Sequence, residues 1–375
     1  MKLRRYVAGL GVLVLSAILS SCGLGLSQLF QQSKNPPPPP QVQYAYVINQ
    51  TTKDIWAYSI DATSGALTTV AGSPFAANIS SAAIAADPLG KFIFVADNSL
   101  NVIEAYTIDA SSGTLTQVPG SPYSAGSEPG SLVVHPSGNF LFAANSASSN
   151  ISVYSIDRTT GALAQVSGSP FASGAYPNAL TVHPSGNFMY AANYLDDTIS
   201  TYSVNTSTGA LSPIGTLTTT ARAPDCAAMH PSGKFLYVGT LGTETVSLFN
   251  IDSTTGLLTA GQVTSVPLGT GVFAIGPVPN GQFVYTADEG NSSVSGYSID
   301  GTTGDLTSLA GSPTTGVDHP FTATVDASGQ FLYLVNPSLN AVTAFQINAS
   351  GGLTAVPGSP FATGTQPLAI AVATP

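Results

Sequence analysis

Short apolar runs, separated by turns rich in Gly, Pro, Asn and Ser, follow one another along almost the whole chain. Runs this short, with turn residues at both ends, are typical of β-strands. One aromatic-led run recurs every 47 or 48 residues, beginning at Tyr44, Phe92, Phe140, Phe188, Phe235, Phe283 and Phe331. A fixed period of this size predicts a repeat architecture, either a solenoid or a propeller.

Each repeat contains four predicted strands. In one of them the strands are expected at Asn178–His183, Phe188–Ala192, Ile199–Val204 and Ala210–Ile214, joined by tight Pro/Gly and Asn/Gly turns. Four antiparallel strands per repeat are typical of a propeller blade. The nearly continuous apolar character of the second strand fits burial on both faces between stacked blades. The sequence therefore predicts an all-β fold, a seven-bladed β-propeller.

The two ends of the repeat region complete each other. The first repeat starts at its second strand, Tyr44–Ile48, and the missing first strand is found at the C-terminus as Leu368–Ala373. We expect the C-terminal strand to join the N-terminal blade and close the ring, which leaves no open sheet edge at the junction. The predicted propeller domain is 43–375.

The N-terminal segment predicts export and anchoring. Lys2, Arg4 and Arg5 precede an apolar stretch too short to span a bilayer, so 1–21 is predicted to be a signal peptide. The segment around Cys22 resembles a bacterial lipobox, and this resemblance implies a lipidated cysteine at the start of the mature chain. Residues 22–42, with Pro36–Pro40, predict an extended tether. The expected location is the bacterial cell envelope, on the membrane through the lipid anchor.

Charge narrows the classes of ligand. Charged residues make up 7 % of the chain, and the net charge is −10. Outside the signal peptide, six basic residues stand against nineteen acidic ones. A nucleic-acid partner needs basic stripes and is therefore excluded. An anionic ligand would also approach against the field of the protein, so a neutral or cationic ligand is favoured.

Several polar residues recur blade by blade and are interpreted as structural. His135, His183 and His230 lie in His-Pro-Ser-Gly turns, where Asp87 and Asp326 take the same place. A second group is predicted to form Asx turns between the third and fourth strands: Asp61, Asp109, Asp157, Asp252 and Asp300. The recurring Gly-Ser-Pro-Phe phrase is expected to place an aromatic ring between blades.

Two longer phrases carry a family resemblance. His230-Pro-Ser-Gly-Lys-Phe-Leu-Tyr and Val153-Tyr-Ser-Ile-Asp-Arg-Thr-Thr-Gly-Ala-Leu resemble the seven-bladed lactonase family, which includes 6-phosphogluconolactonase, and are similar to propellers with Tyr-Val-Thr-Asn-type repeats. The resemblance implies a propeller and a possible lactone hydrolase. In the phosphogluconolactonase branch, a Gly-Pro-Arg-His stretch at the channel mouth precedes a first strand. Here Asp225 and Cys226 stand where that arginine and histidine are expected.

The residues equivalent to that arginine are called the mouth positions below. They are Ala82, Gly130, Asn178, Asp225, Phe273, Phe321 and Leu368. None is basic, so the family's implied route to phosphate recognition is absent. Asn178 and Asp225 are the polar pair among them and are predicted to bind a ligand.

Three other sets of residues are candidates for chemistry. Asp318 and His319, which are also predicted to bind a ligand, combine a carboxylate with an imidazole. Such a pair can orient a general base, although neighbours in a strand-like loop usually point apart. Arg222 belongs to the binding candidates, with an ordinary ion pair to Asp225 as the alternative. Cys226 is expected to be a small buried thiol rather than a nucleophile. No metal site and no cofactor are predicted.

Two functions remain open from the sequence. The first is a monomeric binding or scaffold propeller of the envelope, holding a protein, a glycan or a sugar on its acidic, hydroxyl-rich loop face. The second is a lactone hydrolase acting on an unphosphorylated lactone, with His319, Asp318 or Asp225 activating water.

Overall fold

The computed structural model describes residues 42–77, 81–218, 222–265 and 272–375, without the side chains of 81, 82, 218 and 273. The predicted signal peptide, the lipidated Cys22 and nearly all of the tether lie outside these residues. The described chain is all-β, with one short 3-10 turn at Glu289–Asn291. No helix in these ranges is long and apolar enough to cross a membrane.

The strands form seven antiparallel sheets, which are the predicted blades. We number them 1 to 7 in the order of their second strands. The first strands of neighbouring blades contact one another all the way around the ring. In blades 2 to 7 and then blade 1 the first strands are Ser81–Ala86, Pro129–Val134, Pro177–Val182, Pro224–Met229, Val272–Pro277, Thr322–Val325 and Pro367–Ala373.

The second and third strands carry most of the core. The second strands are Gln43–Asn49, Phe92–Asp97, Phe140–Asn145, Phe188–Asn193, Phe235–Thr240, Phe283–Asp288 and Phe331–Asn336. The third strands are Asp54–Ile60, Val102–Ile108, Asn150–Ile156, Thr198–Val204, Thr245–Ile251, Ser293–Ile299 and Ala341–Ile347. Most second strands are buried along their whole length, as their continuous apolar pattern predicts.

The outer strands differ among the blades. The fourth strands are Leu67–Thr69, Leu115–Gln117, Leu163–Gln165, Leu211–Thr218, Leu258–Ser265, Leu306–Ser308 and Leu353–Ala355. Five blades add a two-residue strand after the Gly-Ser-Pro turn: Phe75–Ala76, Tyr123–Ser124, Phe171–Ala172, Thr314–Thr315 and Phe361–Ala362. Blades 4 and 5 lack that turn, and their fourth strands run on without interruption.

The predicted ring closure is confirmed. The first strand of blade 1 comes from the C-terminus and pairs antiparallel with Gln43–Asn49, with Tyr44 opposite Ala373. Gln43 also joins blade 1 to blade 7, because its Nε2 donates to Asp326 Oδ2 at 3.2 Å and its Oε1 accepts from Ala327 N at 3.0 Å. The first and the last strand of the described chain therefore belong to the same blade.

Tyrosines of the second strands tie each blade to the next. Tyr46 Oη donates to Gly113 O of blade 2 at 2.9 Å, and Tyr190, Tyr237 and Tyr285 make the same bond to the following blade. Gly113 has φ +74°, and a Cβ there would lie 2.3 Å from the ring of Tyr44. The repeated glycine is therefore required both by the left-handed turn and by the packed aromatic ring.

The structural interpretation of the repeated histidines is confirmed. His183 Nδ1 contacts Ser185 Oγ at 2.8 Å within its own turn, and His183 Nε2 donates to Gly233 O of the next blade at 3.0 Å. His135 and His230 make the same pair of contacts. The predicted Asx turns also form, as at Asp61, whose Oδ1 accepts from the backbone N–H groups of Thr63 and Ser64.

Candidate functional site

The mouth positions coincide with an irregularity of the backbone. In six of the seven blades the first strand leaves the loop between blades with a β-bulge, where its register against the second strand shifts by one residue. The residues skipped by the shift are Ala82, Gly130, Asn178, Asp225, Phe273 and Leu368. A bulge re-aims the side chain it carries away from the regular alternation of the strand. Six of the seven predicted mouth positions are therefore bulge residues.

A second backbone feature precedes the mouth position by two residues. Five blades place a non-glycine residue there with positive φ: Glu128, Tyr176, Ala223, His319 and Gln366. This left-handed conformation is uncommon for residues with a Cβ and turns the loop sharply before the first strand. It sets the direction of the side chain at each of these positions.

Asn178 and Asp225 come together at the bulges of blades 4 and 5. Asn178 Nδ2 donates to Asp225 Oδ1 at 2.6 Å. Burial raises the pKa of Asp225 to about 6, and the hydrogen bond from Asn178 opposes that rise. A carboxyl group with such a pKa is divided between its acid and base forms close to neutral pH, as a general acid or base requires.

This pair lines a cavity of about 340 Å³. The other lining residues are Tyr176, Tyr194, Leu195 and Leu241. The rings of Tyr176 and Tyr194 are 6.0 Å apart, and Tyr176 Oη donates to Glu128 Oε2 at 3.4 Å. The cavity thus combines two phenol rings and two leucines with one amide and one carboxyl group, the mixture of apolar wall and few polar groups expected of a small-molecule site.

Arg222 does not form the ion pair with Asp225 that the sequence allowed. The ion pairs within the described chain are Arg158–Asp87 and His319–Asp318. Arg222 is exposed, and its carbonyl oxygen accepts from Gly242 N at 3.2 Å. It is not among the residues that line the cavity, so the structure does not bring this binding candidate to Asp225.

Asp318 and His319 contact each other, contrary to the expectation that they point apart. Asp318 Oδ1 and His319 Nδ1 are 2.7 Å apart, and the side chains are 40 % and 50 % exposed. The reason is the left-handed backbone of His319, whose φ is +40°. Asn336 Nδ2 donates to Asp318 O at 2.7 Å and holds this loop. Neither residue lines the cavity at Asp225.

Cys226 is only partly buried, whereas the sequence predicts a buried thiol, and it packs against a core cluster of blades 5 and 6. Its Sγ donates to Val272 O at 3.3 Å, and burial, followed by the nearby charge of Asp225, raises the pKa of the thiol well above its ordinary value. A thiol in this state is a poor nucleophile at neutral pH. Within the described ranges no three His, Cys, Asp or Glu side chains are grouped so as to hold a metal ion.

Sequence reasoning missed the aromatic part of the cavity. Tyr176 stands in Gly-Ala-Tyr-Pro-Asn, where the sister loops have Ser-Glu-Pro and Thr-Gln-Pro, and Tyr194 follows directly after a second strand. An aromatic residue at a loop position that is mostly polar in the other blades is the signal that would have found them. Both sit on the same loop face as the mouth positions.

Comparison with known proteins agrees with this architecture. The sequence matches the family described as lactonase, 7-bladed beta-propeller, over residues 38–176, 165–275 and 267–367. No curated protein gives a significant sequence match.

Several solved structures share the fold. A protein from Bacteroides fragilis, provisionally called a 6-phosphogluconolactonase, is 18% identical with a TM-score of 0.78, covering 90% of this chain and 99% of its own. A similarly provisional 6-phosphogluconolactonase from Bacteroides uniformis is 15% identical with a TM-score of 0.78, covering 88% and 99%. The periplasmic gluconolactonase of Pseudomonas aeruginosa is 17% identical with a TM-score of 0.73, covering 89% and 100%. With three family matches that together span the blades, this chain belongs to the seven-bladed β-propeller lactonase family.

Proposed function

We propose that this chain is a lactone hydrolase that acts on an uncharged sugar lactone in the cavity between Tyr176 and Asp225. One observation carries the proposal. The Asp225 carboxyl group, with a pKa raised by burial to about 6, lies on a cavity of about 340 Å³ at the mouth positions of blades 4 and 5. A cavity of this size accommodates a six-membered sugar ring.

The chemistry assigned to Asp225 is general base catalysis. The carboxylate accepts a proton from water as the water oxygen attacks the lactone carbonyl carbon. The bond from that carbon to the ring oxygen then breaks, and the protonated carboxyl group returns the proton to the departing oxygen. Water and lactone become one hydroxy acid, and Asp225 ends as it began. A positioned base of this kind contributes about 10²- to 10⁴-fold to a rate.

The surroundings favour an uncharged substrate. Every charged group named at the cavity is acidic: Asp225 lines it, and Glu128 lies 3.4 Å from the Tyr176 hydroxyl. A phosphate group carries a charge between about −1.5 and −2 at neutral pH and would be repelled. The tyrosine rings and the leucines offer apolar surface to the C–H face of a sugar, while Asn178 and the Tyr176 hydroxyl offer polar contacts.

A binding role without turnover is the second candidate. Asn178 already occupies one oxygen of Asp225 at 2.6 Å, and a cavity with rings, an amide and a carboxyl group also suits reversible binding of a sugar or glycan. Both candidates use the same residues, and they differ only in whether water is activated.

Hydrolysis assays decide between them. Gluconolactone, 6-phosphogluconolactone and homoserine lactone are compared with wild-type protein, Asp225→Asn and His319→Ala. The proposal expects turnover of gluconolactone above the spontaneous rate, lost in Asp225→Asn and kept in His319→Ala. Loss in His319→Ala alone would move the site to blade 7. Rates equal to buffer for every lactone would reject the hydrolase, and saturation-transfer NMR with glucose, an uncharged sugar, would then test binding.

The proposed location is the bacterial cell envelope, with a membrane anchor at Cys22. Its support is the sequence pattern of 1–42, since Cys22 precedes the described residues. Metabolic labelling with an alkynyl fatty acid tests it. The wild-type chain is expected to take up the label and Cys22→Ala to lose it, and an unlabelled wild-type chain would reject the anchor.

A further inference from the structure

The register of the blades defines one recurring position between neighbours. On the outer edge of each blade, one residue pairs with the second residue of the third strand, as Phe171 pairs with Ile151. We call it the wedge position. From blade 1 to blade 7 it is occupied by Phe75, Tyr123, Phe171, Leu217, Thr264, Thr314 and Phe361.

Where the wedge residue is aromatic, it fills the gap to the next blade, as the Gly-Ser-Pro-Phe phrase predicts. Phe361 of blade 7 packs against a cluster that includes Tyr58, Ile60 and Leu67 of blade 1. The receiving tyrosine also bonds the backbone next to the wedge, since Tyr58 Oη donates to Ala362 O at 2.6 Å. Tyr154 and Tyr202 repeat this bond in blades 3 and 4.

The wedge residue of blade 5 is Thr264, and the surface of blade 6 that faces it resembles the surface that Phe361 packs against. Blade 6 presents Tyr297, Ile299 and Leu306, the counterparts of the three residues that receive Phe361. Thr264 is too small to reach across, and a cavity of about 320 Å³ opens between the two blades. Its lining residues are Thr264, Ser265, Ser295, Tyr297, Ser308, Ser312 and Pro313. At the next gap Thr314 lines a cavity of about 150 Å³.

The lining of the larger cavity is polar but uncharged. Six of its seven residues carry a hydroxyl group, and the seventh is a proline. Two of the hydroxyls have internal partners, because Ser295 donates to the buried Asp288 and Ser312 accepts from Gly296 N at 2.9 Å. A cavity of about 150 Å³ is enough to hold benzene, so this one has room for a substituted ring.

We propose that the cleft between blades 5 and 6 binds a small neutral phenol, whose ring takes the place of the missing wedge. The ring packs against Tyr297, as Phe361 packs in the cluster that contains Tyr58, and against Pro313, and its hydroxyl group bonds to the hydroxyl-lined wall. The fold itself holds a phenol at this position in blade 2, where Tyr123 Oη donates to Pro119 O at 3.4 Å. The site is independent of the proposed lactone hydrolysis.

Ligand-observed NMR with p-cresol, the side chain of tyrosine, tests this site. Wild-type protein is expected to show saturable binding that Thr264→Phe weakens at least tenfold, because the new ring fills the cavity. Leu217→Phe makes the same kind of change at the wedge position of blade 4 and is the matched control, with binding expected to stay within twofold. Asp225→Asn is expected to bind p-cresol as wild type does.

A second variant keeps the test decisive if Thr264→Phe does not fold. Ser308→Gln narrows the same cavity with a residue that blades 2 and 3 already carry at this register, Gln117 and Gln165, and it is expected to weaken binding as well. No saturable binding to wild type, equal binding by the cavity-filling variant, or binding of myo-inositol in place of p-cresol would each overturn the proposal.

Discussion

Asn178 Nδ2 lies 2.6 Å from Asp225 Oδ1, although the two residues are 47 positions apart and belong to different blades. Each is the bulge residue of its own first strand. The Asn178 amide of blade 4 therefore adjusts the pKa of the Asp225 carboxyl group of blade 5, so two repeats together determine the properties of the proposed general base.

The first prediction concerns the pH dependence of hydrolysis. Since Asp225 has a raised pKa of about 6 and acts as a base only when deprotonated, kcat/KM is expected to rise between pH 5 and 7 and then level off. Asp225→Asn is expected to lower kcat/KM by about 10²-fold or more at pH 7.5. Initial rates with gluconolactone, corrected for spontaneous hydrolysis, measure both. A flat wild-type profile across this range would remove Asp225 from the reaction.

The second prediction tests the amide of Asn178. Its hydrogen bond to Asp225 stabilises the carboxylate and lowers the pKa that burial raises. Asn178→Ala removes that donor, so the rising limb of the kcat/KM profile is expected to move to higher pH by about half a unit to one unit. The plateau at high pH separates this effect from a simple loss of binding. A profile that falls at all pH values without moving would contradict this role for Asn178.

The fold followed from the sequence because every blade repeats the same local signals. The turns and strands are set by residues close together in the chain. The ring closure could be predicted by comparing repeats, because Tyr44–Ile48 lacks a first strand and Leu368–Ala373 supplies it. The structural roles of His183 and Asp61 could be predicted for the same reason, since a residue that recurs in several blades serves the blade. None of these predictions required knowledge of a contact that occurs in only one pair of blades.

The site depends on the features that do not repeat. Contact between Asn178 and Asp225 requires two bulges in neighbouring blades. The cavity wall requires Tyr176 to adopt a left-handed backbone conformation. The sequence pattern does not predict this conformation for a tyrosine. The same backbone conformation at His319 turned its ring onto Asp318 and overturned the expectation drawn from strand geometry. Residues that differ from their counterparts in the other blades could be seen in the sequence, but the directions of their side chains could not.

The third prediction concerns stability and Asp288. This side chain is fully buried, and burial raises its pKa to about 6 while Ser295, Thr286 and Ser293 donate to it. A folded pKa above the unfolded value of about 3.9 means that the contribution of Asp288 to stability is greatest below pH 4 and falls as the pH rises through 6. Asp288→Asn removes this penalty, so it is expected to be more stable than wild type at pH 8 by about 1–3 kcal/mol.

Urea unfolding at pH 4 and pH 8 measures this effect. Four blades already have asparagine at the equivalent position, Asn49, Asn145, Asn193 and Asn336, so the substitution suits the fold. The difference between variant and wild type is expected to shrink at pH 4. Asp61→Asn is the control, because Asp61 is exposed and Asn205 forms the same Asx turn in blade 4, so no gain in stability is expected there. A pH-independent difference for Asp288→Asn would refute the burial argument.

The last prediction exchanges one blade junction for another. Asp87 takes the place of the turn histidine in blade 2. The Arg158 guanidinium donates to the Asp87 carboxylate at 2.8 Å and to Gly138 O of blade 3 at 2.7 Å, and so connects the two blades. Asp87 is fully buried, so Arg158→Ala leaves its charge unpaired and is expected to cost about 3 kcal/mol of unfolding free energy at pH 7. Adding Asp87→His to that variant recreates the junction of blade 4, where His183 Nε2 donates directly to Gly233 O. The double variant is expected to recover to within about 1 kcal/mol of wild type. If it stays as unstable as Arg158→Ala in urea, the histidine and the aspartate–arginine pair are not equivalent connections between blades.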